Sequence, residues 1–346
     1  MAKKAPSANG SPVTLKTIAD ALGVSVTTVG RALKNGHRIS PEMVTKVQAK
    51  ADELGYVRNL DAVKLRTGKT YVVMAFLAFS DDEEIGDSGS VGLLHGIHHR
   101  FSGTDYSVRA VPVALGESGL EKMREAVKGR NVDGIILDHT EPQDERVRFL
   151  LEHDIPFVTF GRTELFSEHS YFDLDNEDAA YQQTMALINN GQRRIALLDA
   201  DSRYIFSRQR VRGYQRALLE SGIPFDENLV KHIKLHADIA KDISQKLIQE
   251  QQADAFVCVN ELVFLGARAG VRAILGSAYQ QIGFSLRSGT NIAAYINSPS
   301  YISYYSRLDA GWSLADFLYR RIQGETVESC QRIEKTVIKQ ALALDF

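Results

Sequence analysis

The sequence predicts an all-α helix-turn-helix head followed by an α/β core of two doubly wound, parallel-sheet lobes. Three observations predict it. Two short amphipathic helices flank Gly23 near the N-terminus, a short connector spans residues 58–70, and from Tyr71 onward apolar strands alternate with amphipathic helices. A chain of 346 residues is long enough for two or three domains with a substantial core.

In the head, Thr14 is placed to cap a helix in which Leu15, Ile18, Ala19 and Leu22 share one face. Gly23 stops it, because glycine takes a left-handed terminal position without steric cost. Ser25 caps the second helix; Val29 and Leu33 face inward, leaving Val26, Thr27, Thr28 and Arg31 outward. Short polar and β-branched residues near the start of a second helix suit entry into a DNA major groove. Two helices around a glycine occur in many α-helical domains, so the motif needs support. A third helix supplies some: it starts at Ser40-Pro41-Glu42, runs through Met43, Val44, Val47, Ala51 and Leu54, and stops at Gly55. Charge supplies the rest. Residues 1–70 hold 12 Lys plus Arg against 5 acids, a net of +7, whereas the remainder carries −9. A basic head on an acidic body suits a polyanionic partner.

In the connector, Asn59 can cap a short helix over Leu60–Leu65 that Gly68 ends. Such a helix is too short to be stable alone. It reads either as a plain linker or as a segment that becomes helical against DNA and a second copy of the chain.

The core reads as strands over Tyr71–Phe79, Tyr106–Val113, Val132–Leu137, Ile155–Phe160, Arg194–Asp199, Leu229–Ile233, Ala255–Val259 and Gln281–Phe284, with helices between them and a last helix over about Tyr304–Ile322. Roughly 275 residues of such units exceed one comfortable sheet, so two lobes are expected. The chain is expected to cross near Phe160–Gly161 and again near Ile282–Asn291. These crossings place about 71–160 and 288–322 in the N-lobe and about 161–287 and 323–346 in the C-lobe. The domain plan is then a flexible leader over 1–12, a head over 13–57, a hinge over 58–70 and a two-lobed unit over 71–346.

Several function classes find no support. No stretch of about eighteen apolar residues is found and the first residues lack the apolar centre of a secretion signal, so the expected location is the cytoplasm, on the nucleoid, with no membrane partner. Cys258 lies within an apolar run and reads as a buried small hydrophobe. The acid run Asp81-Asp82-Glu83-Glu84 reads as a solvated loop. His95 and His99 have i, i+4 spacing, but no third ligand or intervening glutamate accompanies them, so no metal is expected. No phosphate loop, nucleophile elbow or dinucleotide fingerprint occurs; no cofactor and no enzymatic activity are expected.

From Val13 onward the chain resembles the LacI/GalR family of bacterial transcription regulators. The resemblance rests on Val-Thr-Leu-Lys-Thr-Ile-Ala-Asp-Ala-Leu-Gly-Val-Ser-Val-Thr-Thr-Val-Gly-Arg-Ala-Leu, on Ile-Ser-Pro-Glu-Met-Val and on Glu-Leu-Gly-Tyr. Further in, Asp175-Asn176-Glu177, the run Asn190–Leu198 and Arg210-Val211-Arg212-Gly213-Tyr214 also match. The resemblance implies a periplasmic-binding-protein-like core and a homodimeric repressor on a near-palindromic double-stranded operator. It implies base contacts from Val26, Thr27 and Arg31 and phosphate contacts from Ser25 and Thr28. Thr14, Asn35, His37, Arg38 and Tyr56 complete the head's DNA-facing set. Asn59, Ala62, Lys64 and Leu65 match the hinge helix, whose leucine wedges into the minor groove. Three departures stand out: Gly30 for the usual serine, Arg58 for the proline before the hinge asparagine, and Gly283-Phe284-Ser285-Leu286 where Gly-(Phe/Tyr)-Asp-Asp is usual.

By that match, and because pockets of such folds sit at the C-terminal ends of strands, the expected effector site is Asp175, Arg210 and Asn260 with Ser285. Phe79, Phe206 and Tyr305 are expected as its aromatic walls. Each polar choice has a plainer reading: Asp175 and Asn260 as helix caps, Arg210 as an interlobe ion pair. The expected effector is a mono- or disaccharide, with a phosphorylated metabolite as the alternative given Arg162, Arg203, Arg208 and Arg210. A corepressor of the same family, a solute-binding protein and a sugar enzyme are the competing functions. The sequence shows no leucine heptad tail, which favours a dimer over a tetramer.

Overall fold

The computed structural model describes residues 13–33, 38–57, 67–79, 88–114, 116–290, 292 and 300–341. The chain divides into two compact units, Met1–Lys69 and Thr70–Phe346.

The first unit is built by local capping. In α1 (Leu15–Leu22), Thr14 and Thr17 form a reciprocal capping box, and Gly23 closes the helix at φ 65°. In α2 (Val26–Ala32), the Ser25 side chain accepts from Thr28 N at 3.0 Å. In α3 (Pro41–Leu54), Ser40 caps, Pro41 opens the first turn and Gly55 ends the helix at φ 67°. One small core holds them together: Ile18, Ala19, Val29, Ala32, Val47 and Ala51, all buried, with Leu15, Leu22, Leu33 and Tyr56 packed around it. The leader over 1–12, Asn35, His37, Arg58 and the hinge residues Asn59, Ala62, Lys64 and Leu65 lie outside the described residues.

The second unit has two lobes. The N-lobe begins with β1 (Val72–Phe79), α4 (Ser88–Phe101), β2 (Ser107–Ala114), α5 (Leu120–Lys128), β3 (Gly134–Leu137), α6 (Glu145–Glu152), β4 (Phe157–Phe160) and β5 (Tyr171–Leu174). The C-lobe continues with α7 (Asn176–Asn189), β6 (Ile195–Asp199), α8 (Ile205–Glu220), β7 (Val230–His232), α9 (Ala237–Gln249), β8 (Ala255–Cys258), α10 (Glu261–Leu275), β9 (Gly283–Ser288) and β10 (Ser300–Tyr304). The chain then returns to the N-lobe for α11 (Arg307–Ile322) and β11 (Gln331–Glu334), and ends in the C-lobe with β12 (Val337–Ala341).

The sheets have the orders β11-β5-β4-β3-β1-β2 and β12-β10-β9-β8-β6-β7. The two patterns are the same: in each lobe the first strand lies between the second and third, which opens a crevice at its C-terminal end. All pairs are parallel except β10 with β12. Buried on both faces, the central strands β1, β3, β6 and β8 are nearly continuous apolar runs. Alternation along β1 sends Val73, Ala75 and Leu77 to the face under α4 and α11 and Met74 and Phe76 to the opposite face.

The lobe boundaries differ from those expected. The strand Tyr171–Leu174 pairs with β4, so the first crossing follows residue 174 rather than Phe160–Gly161. Its Asp173 interrupts the apolar pattern, which hides the strand in sequence. The strand Ser300–Tyr304 pairs with β9, so the return follows residue 304 rather than Ile282–Asn291. A third crossing lies between β11 and β12, both at sheet edges, where pairing rather than apolar patterning defines a strand. Among the described residues, the segment Glu261–Gln281 is long and apolar enough to cross a membrane by length and composition, contrary to the expectation that none is. It contains α10, which packs on α9 and buries Val263, Phe264, Ala267 and Val271 in the C-lobe core.

Candidate nucleic-acid interface and ligand cavity

In the head, α2 leaves Val26 exposed at 45 % and Thr27 and Arg31 exposed, while Thr28 is half-buried. Ser25 and Thr28 are occupied with each other, their hydroxyls 2.8 Å apart. Thr14 is committed to the α1 cap, and Tyr56 is half-buried against the head core. Arg38 is exposed in a left-handed conformation at φ 66°. The outward set expected for base contact (Val26, Thr27, Arg31) is therefore on one short, capped helix.

In the core, a cavity of about 400 Å³ is walled by both lobes, within the size range of small-molecule sites. The C-terminal ends of β1, β3, β4 and β5 supply Ala78, Asp138, Phe160 and Asp173. The opposite wall has Asn260 after β8, Arg287 of β9 and Tyr305 after β10. Helix starts complete it: Asn176 of α7, Phe206 and Arg210 of α8, Glu261 of α10 and Arg307 of α11.

Four of the seven residues expected at this site line it: Phe206, Arg210, Asn260 and Tyr305. Three do not. Phe79 packs into the N-lobe core, and its neighbour Ala78 reaches the cavity instead, since adjacent strand residues point to opposite faces. Asp175 caps α7, accepting from Asp178 N at 3.0 Å; Asp173, on the strand before it, is the lining carboxylate. Ser285 is fully buried in mid-strand under α7, 3.5 Å from Gln183 Nε2. The strand runs on to Ser288, so Arg287, on the same face and two residues further along, reaches the edge.

The charged groups are organised in pairs. Arg210 donates from Nε to both oxygens of Asp199 at 3.0 and 3.1 Å, and from Nη2 to Oδ1. Both residues belong to the C-lobe, so Arg210 is neither an interlobe ion pair nor opposed to Asp175. Its guanidinium lies 4.7 Å from the Phe206 ring centroid. Arg162 donates from Nε to Asp173 Oδ2 at 2.7 Å, yet burial pushes the Asp173 carboxyl above its usual range. Asn176 donates to Asp173 Oδ1 at 3.2 Å and to Gln209 Oε1 at 2.8 Å, and accepts from Arg287 Nη1 at 2.6 Å. Asn260 Oδ1 accepts from Val263 N at 2.9 Å while the residue lines the cavity, so it both caps α10 and faces the site.

The lobes also touch directly. Ile205 N donates to Thr140 O at 3.0 Å, and His139 sets its ring edge-on to Tyr204 and Phe206 at 5.2 and 5.3 Å. Arg203 Nη1 donates to Gly116 O at 3.2 Å. Sequence reasoning missed Asp138, Asp173, Asn176, Glu261, Arg287 and Arg307. The rule that strand ends line the site points to Asp138 directly, because the expected strand ends at Leu137 as β3 does; Arg287 needed the true end of β9 at Ser288.

A helix-turn-helix unit joined to a two-lobed unit with a cavity at its switch points defines a class of DNA-binding regulators built on a periplasmic-binding-protein-like core. Residues 14–59 match the lacI family of bacterial regulatory proteins, and residues 85–289 match the periplasmic binding proteins and sugar binding domain of the LacI family. The HTH-type transcriptional regulator AglR of Rhizobium meliloti (strain 1021) is 31 % identical over 290 residues, covering 82 % of this chain and 78 % of its own. The regulator CelR of Thermobifida fusca is 27 % identical over 328 residues, 93 % of this chain and 96 % of its own. Among solved structures, a CelR–cellobiose complex matches with TM-score 0.70 at 24 % identity, covering 95 % of this chain and 99 % of its own. A lac repressor dimer bound to operator and the anti-inducer ONPF matches with TM-score 0.76 at 20 % identity, covering 97 and 100 %. The chain belongs to the LacI family of bacterial transcriptional regulators, whose members bind DNA and are not enzymes.

Proposed function

We propose that this regulator is a homodimeric repressor that occupies a near-palindromic operator and is released when a small carbohydrate, a mono- or disaccharide or a derivative of one, fills the cavity. The observation that carries the reading is the presence, in one chain, of an exposed recognition-helix set and a cavity walled by both lobes. The solved CelR–cellobiose complex, of the same fold, supports a carbohydrate. Asp138, Asn260 and Arg287 offer hydrogen bonds to hydroxyls, and Phe206 and Tyr305 offer apolar faces. The ligand's differential affinity for two lobe arrangements sets the largest change in operator affinity it can cause.

Electrophoretic shift of a near-palindromic fragment from upstream of the regulator's own gene tests this, with a panel of neutral sugars and sugar acids added. The expected result is a salt-sensitive, sequence-selective complex that at least one carbohydrate dissociates. Arg31→Ala should relax specificity at one base position, with a loss of about 1–3 kcal/mol on the preferred sequence. Phe206→Ala should bind the fragment normally and respond weakly to the sugar. Absence of any sequence-selective complex refutes the reading.

A further inference from the structure

We infer that the effector carries a carboxylate, as a uronic or other sugar acid does, and that Arg287 is the residue that binds it. The inference rests on the proposed carbohydrate site and names its ligand class.

Arg287 differs from every other arginine that lines the cavity. Arg210 is neutralised by Asp199 and Arg307 by Glu261, while the lining carboxylate Asp173 is neutralised by Arg162. Arg287 is 8 % exposed, and its Nη1 donates to the neutral Asn176 Oδ1. Among the described residues no carboxylate lies within ion-pair distance of it; Asp173 and Asp199, each already paired with another arginine, act on it from further away. The Tyr305 ring lies 5.3 Å from its guanidinium carbon. Burial, and then the like charge of Arg210, push its pKa down to about 10 against the opposing pull of Tyr305, Asp173 and Asp199, so it stays a cation at neutral pH although burial disfavours the charge. A buried cation with no directly bonded carboxylate among the described residues is costly, and its position at the cavity edge lets a ligand supply one.

The charge balance selects the anion. Among the described residues the β9 wall holds one guanidinium that no carboxylate hydrogen-bonds, and a carboxylate carries one negative charge. A phosphate monoester carries about −1.5 to −2 at pH 7 and would bring excess charge toward Asp199, Asp173 and Glu261. Guanidinium geometry also matches a planar carboxylate in two parallel hydrogen bonds. The lining carboxylate without an arginine, Asp138, sits on the opposite lobe, where both oxygens accept from Ala78 N and His139 lies at 3.1 Å. It suits hydroxyls. The two walls therefore orient a molecule with hydroxyls at one end and a carboxylate at the other.

The test is thermal shift and titration calorimetry on the full chain with matched probes: glucose and glucuronate, galactose and galacturonate, cellobiose and cellobionate. Glucose 6-phosphate, acetate and inorganic phosphate are added as separate arms. At least one sugar acid should bind roughly tenfold to a hundredfold more tightly than its neutral parent. It should also outcompete the phosphosugar, and acetate and inorganic phosphate should give no shift. Arg287→Met should be at least as heat-stable as the parent chain and should lose the preference for the acid, whereas Arg287→Lys should keep part of it. Equal or better binding of the neutral parents overturns the inference but leaves the carbohydrate reading intact. Preference for glucose 6-phosphate, shifts by acetate or phosphate alone, or silence across all the sugar acids also overturns it. An unchanged acid preference in Arg287→Met does the same.

Discussion

Arg307, at the start of α11 in the N-lobe, donates from Nη2 to Oε2 of Glu261, at the start of α10 in the C-lobe, at 2.8 Å. Both side chains are only 9 % exposed, so the pair crosses from one lobe to the other inside the cavity wall. Ser288 donates to the other glutamate oxygen at 2.7 Å. Burial alone would raise the Glu261 carboxyl, but Arg307 and Ser288 hold it below its usual value. Gly92 and Gly289 make the room: a Cβ on either would lie within 2.9 Å of Arg307 side-chain atoms.

Removing one partner of this pair should therefore cost far more than removing both. Glu261→Gln leaves a buried guanidinium without its charge and should destabilise the two-lobed unit by about 3–5 kcal/mol in urea unfolding. Glu261→Leu combined with Arg307→Met should recover most of that loss. The depressed folded pKa also fixes a sign. The pair's contribution is complete above the unfolded value of 4.5 and is lost as pH falls through the lower folded value. Single variants that unfold within about 1 kcal/mol of the parent chain would show that the pair is solvated in solution.

Gly30 is the residue in α2 whose identity local helix chemistry does not explain, since glycine disfavours a helix interior. The structure shows open room: a Cβ there would meet only Leu15 Cδ1, at 3.9 Å, an ordinary contact. Gly30→Ala is expected to stabilise the head by about 1 kcal/mol. Slower amide hydrogen exchange in α1 and α2 of the full chain would register it, and faster exchange would sink the expectation.

The opposite outcome is expected where glycine lets helices touch. A Cβ at Gly213 of α8 would lie 1.9 Å from the Glu177 carbonyl oxygen of α7, and one at Gly311 of α11 would lie 2.1 Å from the Leu93 carbonyl oxygen of α4. The obstacle is backbone in both cases, so a rotamer change cannot relieve it. Gly213→Ala and Gly311→Ala should each cost at least about 1–3 kcal/mol by denaturant midpoint. Parent-like midpoints would mean that the helices separate freely.

These cases show what was legible in the sequence and what was not. The head was legible because its determinants are local: Thr14, Gly23, Ser25 and Ser40 act within a turn of their own positions. The alternation of strands and helices was legible for the same reason, and each predicted core strand has a counterpart. The edge strands β11 and β12 were not, because half-exposed residues become strands there only through distant partners. At the cavity, Phe79 ends β1 as expected but points to the other face, so Ala78 lines the wall, and β9 runs four residues beyond its expected end, which brings Arg287 rather than Ser285 to the edge. Its ion pairs, Asp199 with Arg210 and Glu261 with Arg307, join residues that only the fold brings together.

His169, which is not among the residues lining the cavity, supplies a further pH dependence. It is 6 % exposed in the N-lobe, stacked on Phe157 with ring centroids 5.8 Å apart, and its Nε2 lies 3.1 Å from Thr159 Oγ1. Burial holds the imidazole below its ordinary value of 6.5 and outweighs the hydrogen bond to the Ser167 backbone. The unfolded chain takes up this proton near pH 6.5, whereas the folded chain does so only at a lower pH. Between those values the unfolded state binds more protons, so stability is full above 6.5 and declines as pH falls from 6.5 through the folded value. Each unit of depression is worth about 1.4 kcal/mol. Urea midpoints of the parent chain and of His169→Gln, measured on both sides of pH 6.5, isolate the effect. The parent should lose stability more steeply on acidification, and parallel curves would mean that His169 is charged without penalty in the folded chain.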